Sequence, residues 1–188
     1  MTTRFILVSH ALTQWNIEGR IQGHTDIPLN NEGRKMAQCL AKRLTREAIH
    51  GIYTSDLKRA CQTAGPTAEQ KSLKIVQEIG LREGRSINQE RSSIYPTLPF
   101  YKEVETQTDL CLRVTTALSD IAKRHDNQTI LVVSHGGSIE FFINHCLEKT
   151  RETSIPYQGI RMALNRIHYR DGQFYLIHLN EDDFLKKL

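Results

Sequence analysis

The sequence predicts an α/β fold, a three-layer α/β/α sandwich whose mostly parallel central sheet ends in an antiparallel strand pair at the carboxyl end. Three observations carry this. Short apolar runs of strand length alternate with stretches whose apolar residues recur at helical spacing, the pattern of a sheet covered by helices. The runs Ala163–Tyr169 and Phe174–Leu179 flank Asp171-Gly172, a strong hairpin signal. A chain of 188 residues with 39% hydrophobic side chains fills one core of ordinary domain size. A single domain over 1–188 is therefore expected, with a short cap insertion at about 84–105.

Taken in order, Ile6-Leu7-Val8 reads as a buried strand. Pro28-Leu29-Asn30-Asn31 leads into a helix from about Glu32, with Met36, Leu40 and Leu44 on one face and Gly51 closing it. Ile52-Tyr53-Thr54 is the next strand. Ser55 is a candidate N-cap for a helix from Asp56 to about Ala64, interrupted near Gly65-Pro66. Leu73–Val76 is the third strand. Glu78–Glu105 has two prolines and little periodicity, which marks a functional, lid-like segment. Thr106 and Asp109 form a capping pair for a helix with Leu110, Val114, Leu118 and Ile121 as its stripe. Ile130–Val133 is the central strand, and a helix near Ser138–Leu147 precedes the hairpin.

Composition narrows the function classes. The 25 Lys+Arg against 21 Asp+Glu give a net charge of +4, dispersed in singles and pairs without basic blocks, so no nucleic-acid partner is expected. No apolar run approaches the roughly 20 residues of a membrane span. The amino end turns polar at Ser9-His10 before a signal-peptide core could form, which predicts a cytoplasmic protein. Cys39, Cys61, Cys111 and Cys146 form no Cys-x-x-Cys pair and read as reduced core thiols.

One internal match points to chemistry. Leu7-Val8-Ser9-His10 and Val132-Val133-Ser134-His135 are both apolar strands ending in Ser-His and a small residue. Ligands of open α/β sheets bind beyond the carboxyl ends of the strands, where a helix starting after Gly136-Gly137 aims N–H groups and a positive dipole. Two imidazoles and such amides suit an anion such as phosphate. Arg59, in the first turn of the helix after Thr54-Ser55, can grip phosphate oxygens bidentately. The matched strand ends single out His10 and His135 from the eight histidines; the other six read as surface or core residues. A transition-metal centre would need further His or carboxylate ligands in a pattern such as His-Glu-x-x-His, which does not occur, so no metal or cofactor is expected. A neutral His10 could attack phosphorus and form a phosphohistidine, given cations around the phosphoryl group and an acid for the leaving oxygen.

These residues resemble the histidine phosphatase superfamily, also called the phosphoglycerate mutase-like family. Leu7-Val8-Ser9-His10-Ala11-Leu12-Thr13-Gln14-Trp15-Asn16 is similar to its Leu-Val-Arg-His-Gly-x-Thr-x-Trp-Asn signature, continued by Arg20-Ile21-Gln22-Gly23, Asp26-Ile27-Pro28-Leu29 and Gly33. Tyr53 to Ala64 resembles the second-arginine motif, Leu81-Arg82-Glu83 the acid motif, and Val133-Ser134-His135-Gly136 the second histidine motif. The likeness runs from about Arg4 to Leu179-Asn180. It implies that His10 is the phosphorylated nucleophile, His135 a neighbour orienting the phosphoryl group, Arg59 a phosphate clamp and Glu83 the proton donor. Asn16, Gln22 and the backbone at Gly23 and Gly136 complete the implied phosphate pocket, with no metal. The implied activity is a metal-independent phosphomonoesterase acting on a small phosphorylated metabolite and releasing inorganic phosphate.

The chain departs from the pattern at Ser9, where the family has Arg, at Ala11, where it has Gly, and at Gly84 and Ile87 in the acid motif. Losing one preorganised donor costs on the order of 3 kcal/mol, about a hundred- to a thousandfold in rate. A nearby arginine such as Arg20, Arg82 or Arg85 could take its place. Two alternatives stay open beside the phosphatase: an impaired protein that binds a phospho-ligand in a regulatory role, and a phosphoglycerate-type mutase. The short insertion favours hydrolysis over transfer. Substrate choice is expected to lie in the cap loop Glu90–Glu105.

Overall fold

Alternate residues along the central strands face opposite sides of one sheet, and that alternation divides the apolar residues into two cores. The computed structural model describes residues 1–85, 105–150 and 159–186. Among them, β1 (Thr2–Ser9), β2 (Gly51–Thr54), β3 (Ile75–Gln77), β4 (Thr129–Ser134), β5 (Leu164–Arg170) and β6 (Gln173–Glu181) form one sheet in the order β3-β2-β4-β1-β5-β6. β3, β2, β4 and β1 run parallel, and β5 and β6 are antiparallel.

Helices α2 (Asn31–Arg43) and α3 (Lys58–Lys71) cover one face, where Met36, Leu40, Ala60 and Ala64 pack on Ile6, Val8 and Val133. Helices α4 (Gln107–Lys123) and α5 (Gly136–Thr150) cover the other, where Leu118, Ile121 and Phe142 pack on Phe5, Leu7 and Val132. The three-layer α/β/α arrangement with its antiparallel end is thus present. A short helix, α1 (Gln14–Ile17), which the sequence pattern did not announce, follows β1 and is capped by Thr13.

Several boundaries differ from expectation for physical reasons. Helix α3 continues through Gly65-Pro66 to Lys71 rather than breaking there. Proline inside a helix costs about 3 kcal/mol, but the buried Ala60, Ala64 and Ala68 stripe holds the later turns against the sheet. Ser55 is not its cap: Leu57 occupies that position, and Asp26 Oδ1 accepts the Lys58 N–H from across the fold at 2.7 Å. The third strand is Ile75–Gln77, displaced from Leu73–Val76, and α5 starts at Gly136, earlier than Ser138. Cys39 and Cys61 are half-buried, not core, while Cys111 and Cys146 are buried; none of the four is in a disulfide.

Gly33 lies where backbone must come close. A Cβ there would sit 2.0 Å from the Leu12 carbonyl oxygen, so the start of α2 can approach the loop after β1. Asn30 caps that helix by accepting the Gly33 N–H at 2.8 Å. Among the described residues no helix is long and apolar enough to cross a membrane. Of the cap expected at about 84–105, all but Gly84, Arg85 and Glu105 lies outside the described residues.

Candidate active site

Parallel register places Ser9 opposite Ser134, so β1 and β4 end side by side, and the His10 N–H donates to the Ser134 carbonyl at 2.9 Å. The two matched histidines therefore meet, their ring centroids 5.3 Å apart. A cavity of about 420 Å³ opens above these strand ends. His10, Asn16, Gln22, Gly23, Arg59, Glu83 and Gly136 all line it, so seven of the eight sequence-predicted site residues share one wall system. His135 is the exception. It is fully buried behind His10, and its Nε2 shares a 2.7 Å hydrogen bond with the Ser55 hydroxyl.

His10 is held as a neutral base. Its Nδ1–H donates to the Ala11 carbonyl at 2.7 Å, which leaves the lone pair on Nε2. Burial first, and the Arg59 guanidinium second, push its pKa down to about 3. His135 is driven well below its ordinary value by burial, then by Arg59 and His10. For His10 the sign of the consequence is fixed. The unfolded imidazole takes up a proton near its ordinary pKa of 6.5, whereas the folded one resists until about 3, so the unfolded state binds more protons throughout that window. Stability conferred by neutral His10 is complete above 6.5 and is lost as pH falls toward 3. The melting temperature is expected to drop by several degrees between about pH 7 and about pH 4.5. His10→Asn should flatten that drop in a calorimetric pH series; an unchanged slope would contradict the assignment.

Arg59 is fully buried, yet its partners are uncharged: Nη1 donates to Thr25 O and Nη2 to Gly23 O, each at 2.8 Å. Burial lowers its pKa to about 10, against the opposing pull of Glu83 and Asp26. Its Nε and His135 Nδ1 are buried without a hydrogen-bond partner among the described residues. A desolvated cation held by carbonyls and left with unpaired donor capacity strongly favours an anion beside it.

Glu83 is set on the amino end of α5. Its Oε1 accepts the Ser138 N–H at 3.0 Å and the Ser138 hydroxyl at 3.2 Å, and its Oε2 accepts the Gly137 N–H at 3.2 Å. A Cβ on Gly137 would lie 2.8 Å from Oε1, so the glycine lets the carboxylate come this close. The helix amides expected to cradle an anion thus hold a carboxylate of the chain itself, and Gly136 stays on the cavity wall. Three contacts fix the segment that carries Glu83. Ser134 Oγ donates to Leu81 O at 2.7 Å, His24 Nε2–H to Glu83 O at 2.7 Å, and Arg113 Nη1 to Gly80 O at 2.9 Å. Arg113 in turn makes a two-pronged pair with Glu105.

Asn16 and Gln22 owe their orientation to Thr13. The Asn16 amide oxygen accepts the Thr13 N–H at 3.0 Å and the Gln22 amide oxygen accepts the Thr13 hydroxyl at 3.0 Å, so both oxygens are engaged by Thr13. Of the three arginines proposed to replace the one absent at position 9, Arg82 is bound two-pronged by Asp56, its Nε donating to Oδ1 at 2.6 Å, and is off the cavity wall. Arg20 stacks on Trp15 at 3.7 Å and pairs with Glu18 at the cavity rim. Arg85 lies on the wall. Arg161 lies there as well, a cation that sequence reasoning missed. Ser55, Thr13, His24 and Arg113 were missed likewise as supporting residues. Among the described residues no group of three or more His, Cys, Asp and Glu side chains is placed to hold a metal ion.

Comparison with known proteins identifies the family of the chain. The model of the histidine phosphatase superfamily (branch 1) matches residues 5–182. The chain is 33% identical to phosphoglycerate mutase-like protein 4 of Arabidopsis thaliana, over 96% of this chain and 89% of that one. It is 30% identical to a metal-independent phosphoserine phosphatase of the same plant, over 98% and 87%. Among solved structures, a mutant phosphoserine phosphatase from Entamoeba histolytica in complex with phosphoserine superposes with a TM-score of 0.76 at 26% identity, covering 97% of this chain and 99% of that one.

Proposed function

Because the chain belongs to the histidine phosphatase superfamily, branch 1, we propose that it is a phosphatase of that family that hydrolyses a small phosphomonoester through a phosphohistidine on His10, without a metal. The observation that carries this is the neutral, Nδ1-anchored His10 on a cavity wall beside the buried Arg59 guanidinium. In the first step His10 Nε2 attacks phosphorus, the P–O bond to the leaving alcohol breaks, and Glu83 gives its proton to that oxygen. In the second step water attacks the phosphohistidine, Glu83 takes a proton from it, the P–N bond breaks and inorganic phosphate leaves. Arg59 stabilises charge on the phosphoryl oxygens in both steps, and the amide groups of Asn16 and Gln22 are placed to assist. His135, bonded to Ser55, sets the ring of His10 by packing against it.

The phosphoserine phosphatase relatives support hydrolysis of an amino-acid or similarly small phosphomonoester. The cavity wall carries both signs of charge, with Arg20 and Arg85 facing the same space as Glu105 and Glu140, which suits a substrate that is itself zwitterionic. Four cysteines without a disulfide are in keeping with a cytoplasmic setting. The test is turnover of p-nitrophenyl phosphate, O-phosphoserine and 3-phosphoglycerate with excess chelator present, comparing the native chain with His10→Ala. Hydrolysis that His10→Ala abolishes supports the proposal. Phosphate binding without hydrolysis would make the chain a phospho-ligand binding protein, and transfer between two positions of one substrate would make it a mutase.

A further inference from the structure

We infer that Arg161 is a second phosphoryl-binding cation of this cavity, delivered there by Ser9. The inference rests on the proposed phosphatase chemistry. A phosphomonoester brings close to two negative charges, and in the depth of this cavity the buried guanidinium of Arg59 is already divided between two backbone carbonyls. Arg161 lines the same cavity as Ser9, His10 and Arg59. It lies just before β5, whose strand neighbour is β1, so the segment that carries it runs beside the end of the strand that carries His10.

The placement is built, not incidental. Ser9 Oγ, almost fully buried, accepts the N–H of Met162 at 3.0 Å. Met162 itself is buried and takes a left-handed backbone, φ 63°, which a methionine adopts only when its surroundings enforce it. The bond and the turn together fix the residue before it, Arg161. A parallel arrangement supports Glu83, since Ser134, the strand neighbour of Ser9, holds Leu81 through its hydroxyl. Each Ser-His strand end therefore carries a serine that anchors the loop bringing one charged group to the cavity, the acid on one side and the cation on the other.

The electrostatics agree with the geometry. Arg161, exposed where it lines the cavity, is among the charges that lower the pKa of His10, and the Glu83 charge favours its cationic form. Among the described residues no carboxylate forms an ion pair with its guanidinium, which leaves the charge for a ligand. Ser9 thus does more than lack a charge. It exchanges an arginine on the strand for one on the neighbouring loop.

The experiment uses the full chain with p-nitrophenyl phosphate as substrate and orthovanadate as the phosphoryl probe. Arg161→Ala is expected to lower kcat/KM by about 10²- to 10³-fold and to weaken orthovanadate binding by a similar factor, with the melting temperature unchanged. Added guanidinium ion should restore part of the Arg161→Ala rate and none of the His10→Ala rate, which a purely structural role would not produce. Native kcat/KM and native orthovanadate affinity in Arg161→Ala would overturn the inference while leaving the phosphatase proposal standing. Should the native chain hydrolyse no phosphomonoester, that proposal falls, and orthovanadate binding by calorimetry still decides the role of Arg161.

Discussion

His10→Ala is expected to lower phosphomonoester turnover by at least about 10⁴-fold and to leave the fold in place. Among the described residues no other imidazole can replace the nucleophile, because His135, at the neighbouring strand end, is fully buried and already bonded to Ser55. Near pH 7 the imidazole is neutral in the folded and largely so in the unfolded chain, and His10 lines a cavity rather than filling a core, so the melting temperature there should change little. The binding groups Arg59, Asn16 and Gln22 are untouched by the substitution, and phosphate or orthovanadate should still bind. Loss of rate with retained anion binding separates removal of a nucleophile from collapse of the site. A variant retaining more than about a tenth of native turnover would mean that attack on phosphorus comes from elsewhere.

Glu83→Gln has the second-largest expected effect, and its size should depend on the leaving group. Glutamine keeps one oxygen that can accept the Ser138 N–H and loses the acceptor for the Gly137 N–H, while the Ser134 and Arg113 bonds to Leu81 O and Gly80 O still hold the segment, so the loop should keep its shape. What is lost is a transferable proton. For an alkyl phosphate such as O-phosphoserine, whose alkoxide is a poor leaving group, a loss of about 10²- to 10⁴-fold is expected. For the phosphorylation step with p-nitrophenyl phosphate, whose phenolate leaves without a proton, the loss should be below about tenfold. Burst kinetics on the two substrates measure this directly. Equal losses on both would assign Glu83 to positioning rather than to proton transfer.

The strands and the paired histidines were legible because their signals are local: apolar runs of strand length, each ending in Ser-His, and a hairpin dipeptide near the carboxyl end. Arg59 and Glu83 were legible through motif context, and the structure brings both to the cavity. What was not legible depends on contacts between distant segments. Nothing beside Pro66 announces that an alanine stripe will hold α3 straight through it. Ser55 looked like a helix cap, since a serine after a strand usually is one, but its hydroxyl is drawn to His135 by the pairing of β2 with β4. Nearness to the motifs in sequence points to Arg20, Arg82 and Arg85 for the missing guanidinium. Arg82 is committed to Asp56, and it is the pairing of β1 with β5 that brings Arg161 to the strand end. The amino end of α5 looked ready for an anion and instead holds Glu83, because Gly137 has no side chain to keep the carboxylate away.

The central claim is that phosphorus is bonded to His10 during turnover. It is tested most directly by mixing the native chain with a radiolabelled phosphomonoester, quenching within milliseconds in alkaline denaturant, where a P–N bond survives, and mapping the label after digestion. The account predicts label on the peptide containing His10, lost on acid treatment and absent from His10→Ala. Label on any other residue, or steady turnover with no label on His10 at any quench time, would contradict it.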